Sequence, residues 1–252
     1  MPDIKKFMDK SLSAVQSGAK SFNETVAPKI GKAVNDATES AGKAIADGSD
    51  KIASVGKNAK DTVMNQLDVN HDGNVDIVDI ITLGLKTPGI KVNREQFLKK
   101  ELTIHYDEET VKKAIAKTPV AAKIPAEDID KIADAVIQYE RYFVSGISTA
   151  LGAPGGAAMV ATIPADIIQY YGYMLRAAQK LMYLYGFPQI VSEDDETQID
   201  SATMNLLVVA MGVMFGVAGA NNAVKAMAKA LGNGVEKQLM RRALTKGTIY
   251  PI

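Results

Sequence analysis

The stretch 63–85, VMNQLDVNHDGNVDIVDIITLGL, decides how the chain folds. Its middle, 68–79, has oxygen-bearing side chains at the spacing a hard divalent cation requires. Asp68, Asn70 and Asp72 take loop positions 1, 3 and 5, and Gly73 at position 6 permits the sharp turn. Asn74 at position 7 offers a backbone carbonyl. Asp76 at position 9 reaches the ion directly or through water, and Asp79 closes the site at position 12. Val75 supplies an apolar anchor. Val63, Met64 and Leu67 lie on one face of an entering helix, and Ile80, Ile81, Leu83 and Leu85 make an exiting segment stopped by Pro88 and Gly89. The pattern therefore predicts helix–loop–helix. The plainer reading is an Asn/Asp/Gly turn that binds nothing, since these residues favour turns in any case.

The loop resembles an EF-hand, and its closing Asp79 resembles the calcium loops of dockerin modules, which carry two such loops where one is found here. Aspartate is one methylene shorter than the usual closing glutamate, which implies Ca2+ with greater tolerance of Mg2+.

Lysine plus arginine and aspartate plus glutamate number 29 each, so no global charge points to nucleic acid. The absence of cysteine excludes disulfides, thiolate metal sites and cysteine nucleophiles. The two histidines, His71 and His105, fall in no spacing that builds a zinc or acid–base site. Alanine-rich helical spacing predominates over strand-like alternation, and an all-α fold is expected. The N-terminus lacks the apolar run of a secretory signal, which places the expected location inside the cell, in the cytoplasm or at the inner face of the membrane.

Three zones follow. Residues 1–60 form an amphipathic helical leader. Val15, Val26 and Ala37, and likewise Ala19, Ile30 and Ala41, repeat every 11 residues and keep a thin stripe on one face. The stripe suits a lipid surface or a partner helix, and equally a weakly stable leader. Residues 61–90 carry the loop and its flanking helices. Residues 91–252 form a helical domain. In it Asn93 caps one helix, Asp107 caps a second that ends before Pro119, and Pro125 opens a third over 126–146.

From about 145 the chain is apolar and rich in glycine. Gly152, Gly155 and Gly156 lack the Gly-Lys-Ser/Thr that would make a phosphate loop, and they read as close-packing glycines. The uncharged run 205–220 contains Gly212 and Gly216 at GxxxG spacing. It reads as a buried helix or as a membrane-embedded hairpin, and is short for a full span. A helix starting at Pro164 would put Asp166 in its first turn, where the backbone amides and dipole hold a carboxylate. Tyr170, Tyr173, Arg176 and Lys180 continue a polar stripe from Asp166, the place where an enzyme site would lie if the chain had one.

The segment ALGAPGGAAMVATIPADIIQYYGYMLRAAQKLMYLYGF, with VMFGVAGANNAV after it, resembles the core signature of the EcsC protein family over about 93–250. The resemblance implies a bacterial, α-helical protein at a membrane surface or membrane complex, and it implies no reaction. Family members commonly continue past a segment like TKGTIYPI, so the resemblance also implies a domain cut short at Ile252. The function expected is a non-enzymatic, calcium-binding, membrane-associated protein. The alternatives are an enzyme with its site along the Pro164 helix and a structural protein stapled by its metal loop.

Overall fold

A computed structural model of the chain describes residues 64–151, 158–191 and 201–214, together with Glu24, Ile199, Ala220 and Asn221. The leader at 1–60, the glycines at 152, 155, 156 and 216, and the C-terminal TKGTIYPI lie outside the described residues, Glu24 apart. The described part is helical and contains no strand, so the fold is all-α.

The helices are α1 (Ile77–Lys86), α2 (Arg94–Leu102), α3 (Glu108–Ala116), α4 (Ala126–Leu151), α5 (Ala158–Leu184) and α6 (Ser201–Met214). Local chemistry sets most of their starts. The Asp76 side chain accepts from the Val78 and Asp79 amides while Asp79 accepts from the Asp76 amide, a reciprocal cap on α1. Asn93 accepts from the Gln96 amide and Asp107 from the Thr110 amide, capping α2 and α3. The chain turns out of α1 through Thr87, Pro88 and Gly89, where φ is +81°, a conformation glycine adopts without a Cβ penalty.

α5 is the hub. α1, α2, α4 and α6 all pack on it, α1 also meets α6, and α2 packs on α3. From Met174 onward α5 buries Leu175, Ala177, Ala178, Leu181 and Met182, and its polar positions Arg176, Gln179 and Lys180 are matched by partners on neighbouring segments. The loop's exiting helix belongs to this same core through Ile77, Ile80, Ile81 and Leu85.

α5 corrects one expectation. It begins at Ala158, so Pro164 is its seventh residue and Asp166 its ninth. A proline inside a helix removes the bond its amide would donate four residues back, but a 27-residue helix packed on four others tolerates that loss. The apolar run 205–220 packs on the core over its part in α6, and 215–219 lie outside the described residues. Leu207, Val208, Val209, Ala210, Met211, Val213 and Met214 are all buried. Among the described residues no helix is long and apolar enough to cross a membrane.

Candidate metal loop and the polar stripe

The 68–79 loop is organised by its carboxylates. Asp68 is 8% exposed and accepts from the Asp72 amide through Oδ1 (3.2 Å) and from the Gly73 amide through Oδ2 (2.9 Å). Asn70 Oδ1 accepts from the Asp72 amide at 2.8 Å, and Asp72 Oδ1 from the Asn74 amide at 2.8 Å. Asn70 Nδ2 also donates to Asp72 Oδ2 at 3.2 Å. Gly73 has φ +86° with open space where a Cβ would stand, so its conformation alone accounts for glycine there. His71, at position 4, has φ +58°, a left-handed conformation that costs a side-chain-bearing residue.

Asp79 ties the two ends of the loop together. Its Oδ1 accepts from the Val69 amide at 3.0 Å and the Asn70 amide at 3.3 Å, and its Oδ2 from the Asp76 amide at 2.9 Å. The residue is 1% exposed. Burial pushes its carboxyl above the usual carboxylate range and the neighbouring Asp76 charge adds to the rise, against the lowering effect of the three amides. Asp76 caps α1 through a single oxygen, Oδ1, at 2.7 Å from the Val78 amide and 3.2 Å from the Asp79 amide.

The donor set suits a hard cation in kind, four carboxylates and an amide oxygen within one turn. In direction the side chains serve the backbone, and among the described residues no three His, Asp or Glu groups converge closely enough to hold a metal ion. Acceptor capacity remains. A carboxylate oxygen carries two lone pairs, so the bonds above leave one on each oxygen of Asp68 and Asp72, one on Asp79 Oδ2, and both on Asp76 Oδ2.

The polar stripe on α5 resolves into separate parts. Glu140 of α4, 1% exposed, receives Arg176 Nη2 and Lys180 Nζ at 2.6 Å each, and Arg176 Nε at 3.0 Å. Arg176 also lies 4.5 Å from the Tyr173 ring centroid and 5.0 Å from that of Phe143. The two cations expected to line a site are thus engaged in joining α5 to α4. Tyr170 packs edge-on against Tyr171, and Asp166 is exposed, its carboxyl raised by partial burial. The structure does not gather these five residues around one point.

Three polar residues that hold the core escape a reading by local pattern. Gln179, fully buried, accepts from the Val92 amide and donates to the Ile90 carbonyl, binding the 87–92 segment to α5. Arg94 donates to the Ala114, Ile115 and Lys117 carbonyls at the end of α3 and to the Phe187 carbonyl. Gln189 donates to the Val92 carbonyl and to the Tyr183 hydroxyl. Glu140 alone had a sequence signal: it extends the buried stripe of Ile129, Ile132, Ala133 and Val136 by one turn.

No family model, no curated protein and no solved structure matches the chain.

Proposed function

We propose that the 68–79 loop binds a divalent cation, Ca2+ first and Mg2+ second, and that the chain is a non-enzymatic, metal-responsive helical protein. The observation that carries this reading is the pair Asp68 and Asp79. Both are buried at opposite ends of the loop, both are held by backbone amides, and both keep a lone pair unused. A turn that binds nothing has no need to bury two like charges, a costly arrangement that a cation would relieve. Asp68, Asn70, Asp72 and Asp79 would supply side-chain oxygens, Asn74 its carbonyl, and Asp76 a direct or water-bridged contact. On the EcsC resemblance we further propose that the partner is a membrane surface or a complex at one.

Against an enzyme stands the engagement of Arg176 and Lys180 by Glu140, which leaves the α5 stripe without a cation aimed at a substrate. Calorimetric titration with CaCl2 and MgCl2 tests the loop. Heat is expected from the wild type, tighter for calcium, and none from the Asp68→Ala/Asp79→Ala protein. Asp72→Ala, at an exposed position outside the core, weakens binding without threatening the fold. Equal or absent heats in all three would overturn the proposal.

A further inference from the structure

Asp72 is followed by glycine, and Asp72, Gly73 and Asn74 are all exposed. No atom lies within 4 Å of where a Gly73 Cβ would stand, so no side chain screens the Gly73 nitrogen on that side. The Asn74 amide donates to Asp72 Oδ1 at 2.8 Å, which folds the Asp72 carboxyl back over the peptide unit between them. Asn70 Nδ2 donates to Asp72 Oδ2 at 3.2 Å. The Gly73 N–H itself points at a carboxylate, Asp68 Oδ2, at 2.9 Å.

These groups have the makings of an acyl transfer within the loop. The Gly73 nitrogen is the nucleophile, Asp68 the base that faces its proton, and Asp72 Cγ the electrophile, with a donor on each of its oxygens. Held neighbours react without the entropy cost of meeting, and a donor at an oxygen where charge develops lowers the barrier.

The geometry points to spontaneous isomerisation of Asp72 to isoaspartate in the metal-free loop. The Gly73 N–H gives its proton to Asp68, and the nitrogen bonds to Asp72 Cγ. The hydroxyl of the carboxyl group leaves with that proton as water, and a cyclic succinimide remains. A water molecule then adds its hydroxyl to the Asp72 main-chain carbonyl carbon. The bond from that carbon to the Gly73 nitrogen breaks, and the nitrogen takes up the water's proton. The chain now runs through Cβ and Cγ, the former main-chain carbonyl is the free carboxyl, and nothing is oxidised or reduced. The backbone gains a methylene at loop position 5, which destroys the ligand spacing. A cation on the Asp68 and Asp72 oxygens would occupy the base and hold the electrophile. That protection rests on the metal-binding reading above, and the isomerisation does not.

Prolonged warm incubation of the whole chain in EGTA and in CaCl2, followed by tryptic digestion and electron-transfer fragmentation, tests this. Isoaspartate at 72 is expected to build up in EGTA and to be suppressed in CaCl2. Asp72→Glu is expected to lose the product, since its imide needs a larger ring that closes slowly. Asp68→Asn keeps an acceptor for the Gly73 amide without a basic carboxylate, and is expected to slow the reaction about tenfold or more. Circular dichroism confirms that each variant keeps the fold. Absence of isoaspartate in EGTA overturns the proposal, whatever calorimetry says of calcium. Equal rates in the wild type and Asp68→Asn overturn the part given to the loop geometry. Equal rates in EGTA and CaCl2, in a protein that gives heat with calcium, overturn the protection. The same equality without heat overturns the metal-binding reading and leaves the isomerisation standing.

Discussion

Gly84 of α1 and Gly172 of α5 meet where their helices cross, and a Cβ added to Gly84 would stand 3.4 Å from the Gly172 Cα. A Cβ on Gly172 would stand 3.2 Å from two atoms of the Ile90 side chain. Close approach of this kind is what small residues permit. Gly84→Ala meets ordinary contact distance and gains helix propensity, so its stability should stay within about 1 kcal/mol of wild type. Gly172→Leu has no room and should cost about 1–3 kcal/mol or more. Thermal or urea unfolding of the two variants checks the asymmetry.

The Glu140 cluster should behave as a unit. Glu140→Leu leaves Arg176 and Lys180, each with a side chain 14% exposed, without their carboxylate. Breaking a buried pair from one side costs about 3–5 kcal/mol. The triple variant Glu140→Leu/Arg176→Met/Lys180→Met should recover most of that loss. Urea midpoints of the single and triple variants decide between a structural cluster and independent surface charges.

Asp166 should be dispensable for stability. Its place eight residues into α5, exposed and with its carboxyl raised by partial burial, gives the charge no first-turn amides to hold it. Asp166→Leu is expected to unfold within about 0.5 kcal/mol of wild type, as surface substitutions do. A loss above ~2 kcal/mol would restore the capping role that the sequence suggested.

His71→Gly relaxes a left-handed residue inside the loop. The gain should be about 1 kcal/mol in the ordered loop, partly offset by the freer unfolded chain. If the loop binds calcium, affinity should rise a few-fold, which titration calorimetry reads directly.

Alkali should reveal late-titrating phenols, since burial raises Tyr106, Tyr170, Tyr171 and Tyr183, and Tyr106 and Tyr171 are shifted furthest. Burial pushes Tyr106 up to about 12, with a hydrogen bond to Asp128 at 2.7 Å adding to the shift, and burial pushes Tyr171 up to about 12. Both groups have raised folded pKa values, so the unfolded chain releases these protons first. Their contribution to stability is complete below about pH 10 and is lost as pH rises toward 12. The chain has nine tyrosines and no tryptophan, so ultraviolet difference spectra follow phenolate alone. Tyr106→Phe should remove one late step.

What could be read from the sequence was what neighbouring residues settle among themselves. The caps Asn93 and Asp107 each satisfy an amide three residues away, and the helices they start lie where the pattern put them, whereas Asp76, read as a loop ligand, also caps α1. The start of α5 was misplaced because a proline in first position and a proline in a long packed helix look alike locally, and packing decides between them. Arg176 and Lys180 were legible as a polar stripe. Glu140 carried a signal as the next turn of the buried α4 stripe, but its pairing with them did not, because it stands 36 and 40 residues away on another helix. The loop's oxygen-bearing side chains were plain in the sequence, but the turning of Asp76 and Asp79 toward backbone amides depends on how α1 is seated.

The hub position of α5 has a consequence for synthesis. α1, α2 and α4 all rest on a helix that leaves the ribosome after them, while α2 and α3 can pack on each other before it is made. The apolar sides of α1 and α4 must therefore wait, uncovered, until the Met174–Leu184 half of α5 has been made. A nascent chain halted before that point should be captured by chaperones, and one halted just beyond it should resist protease.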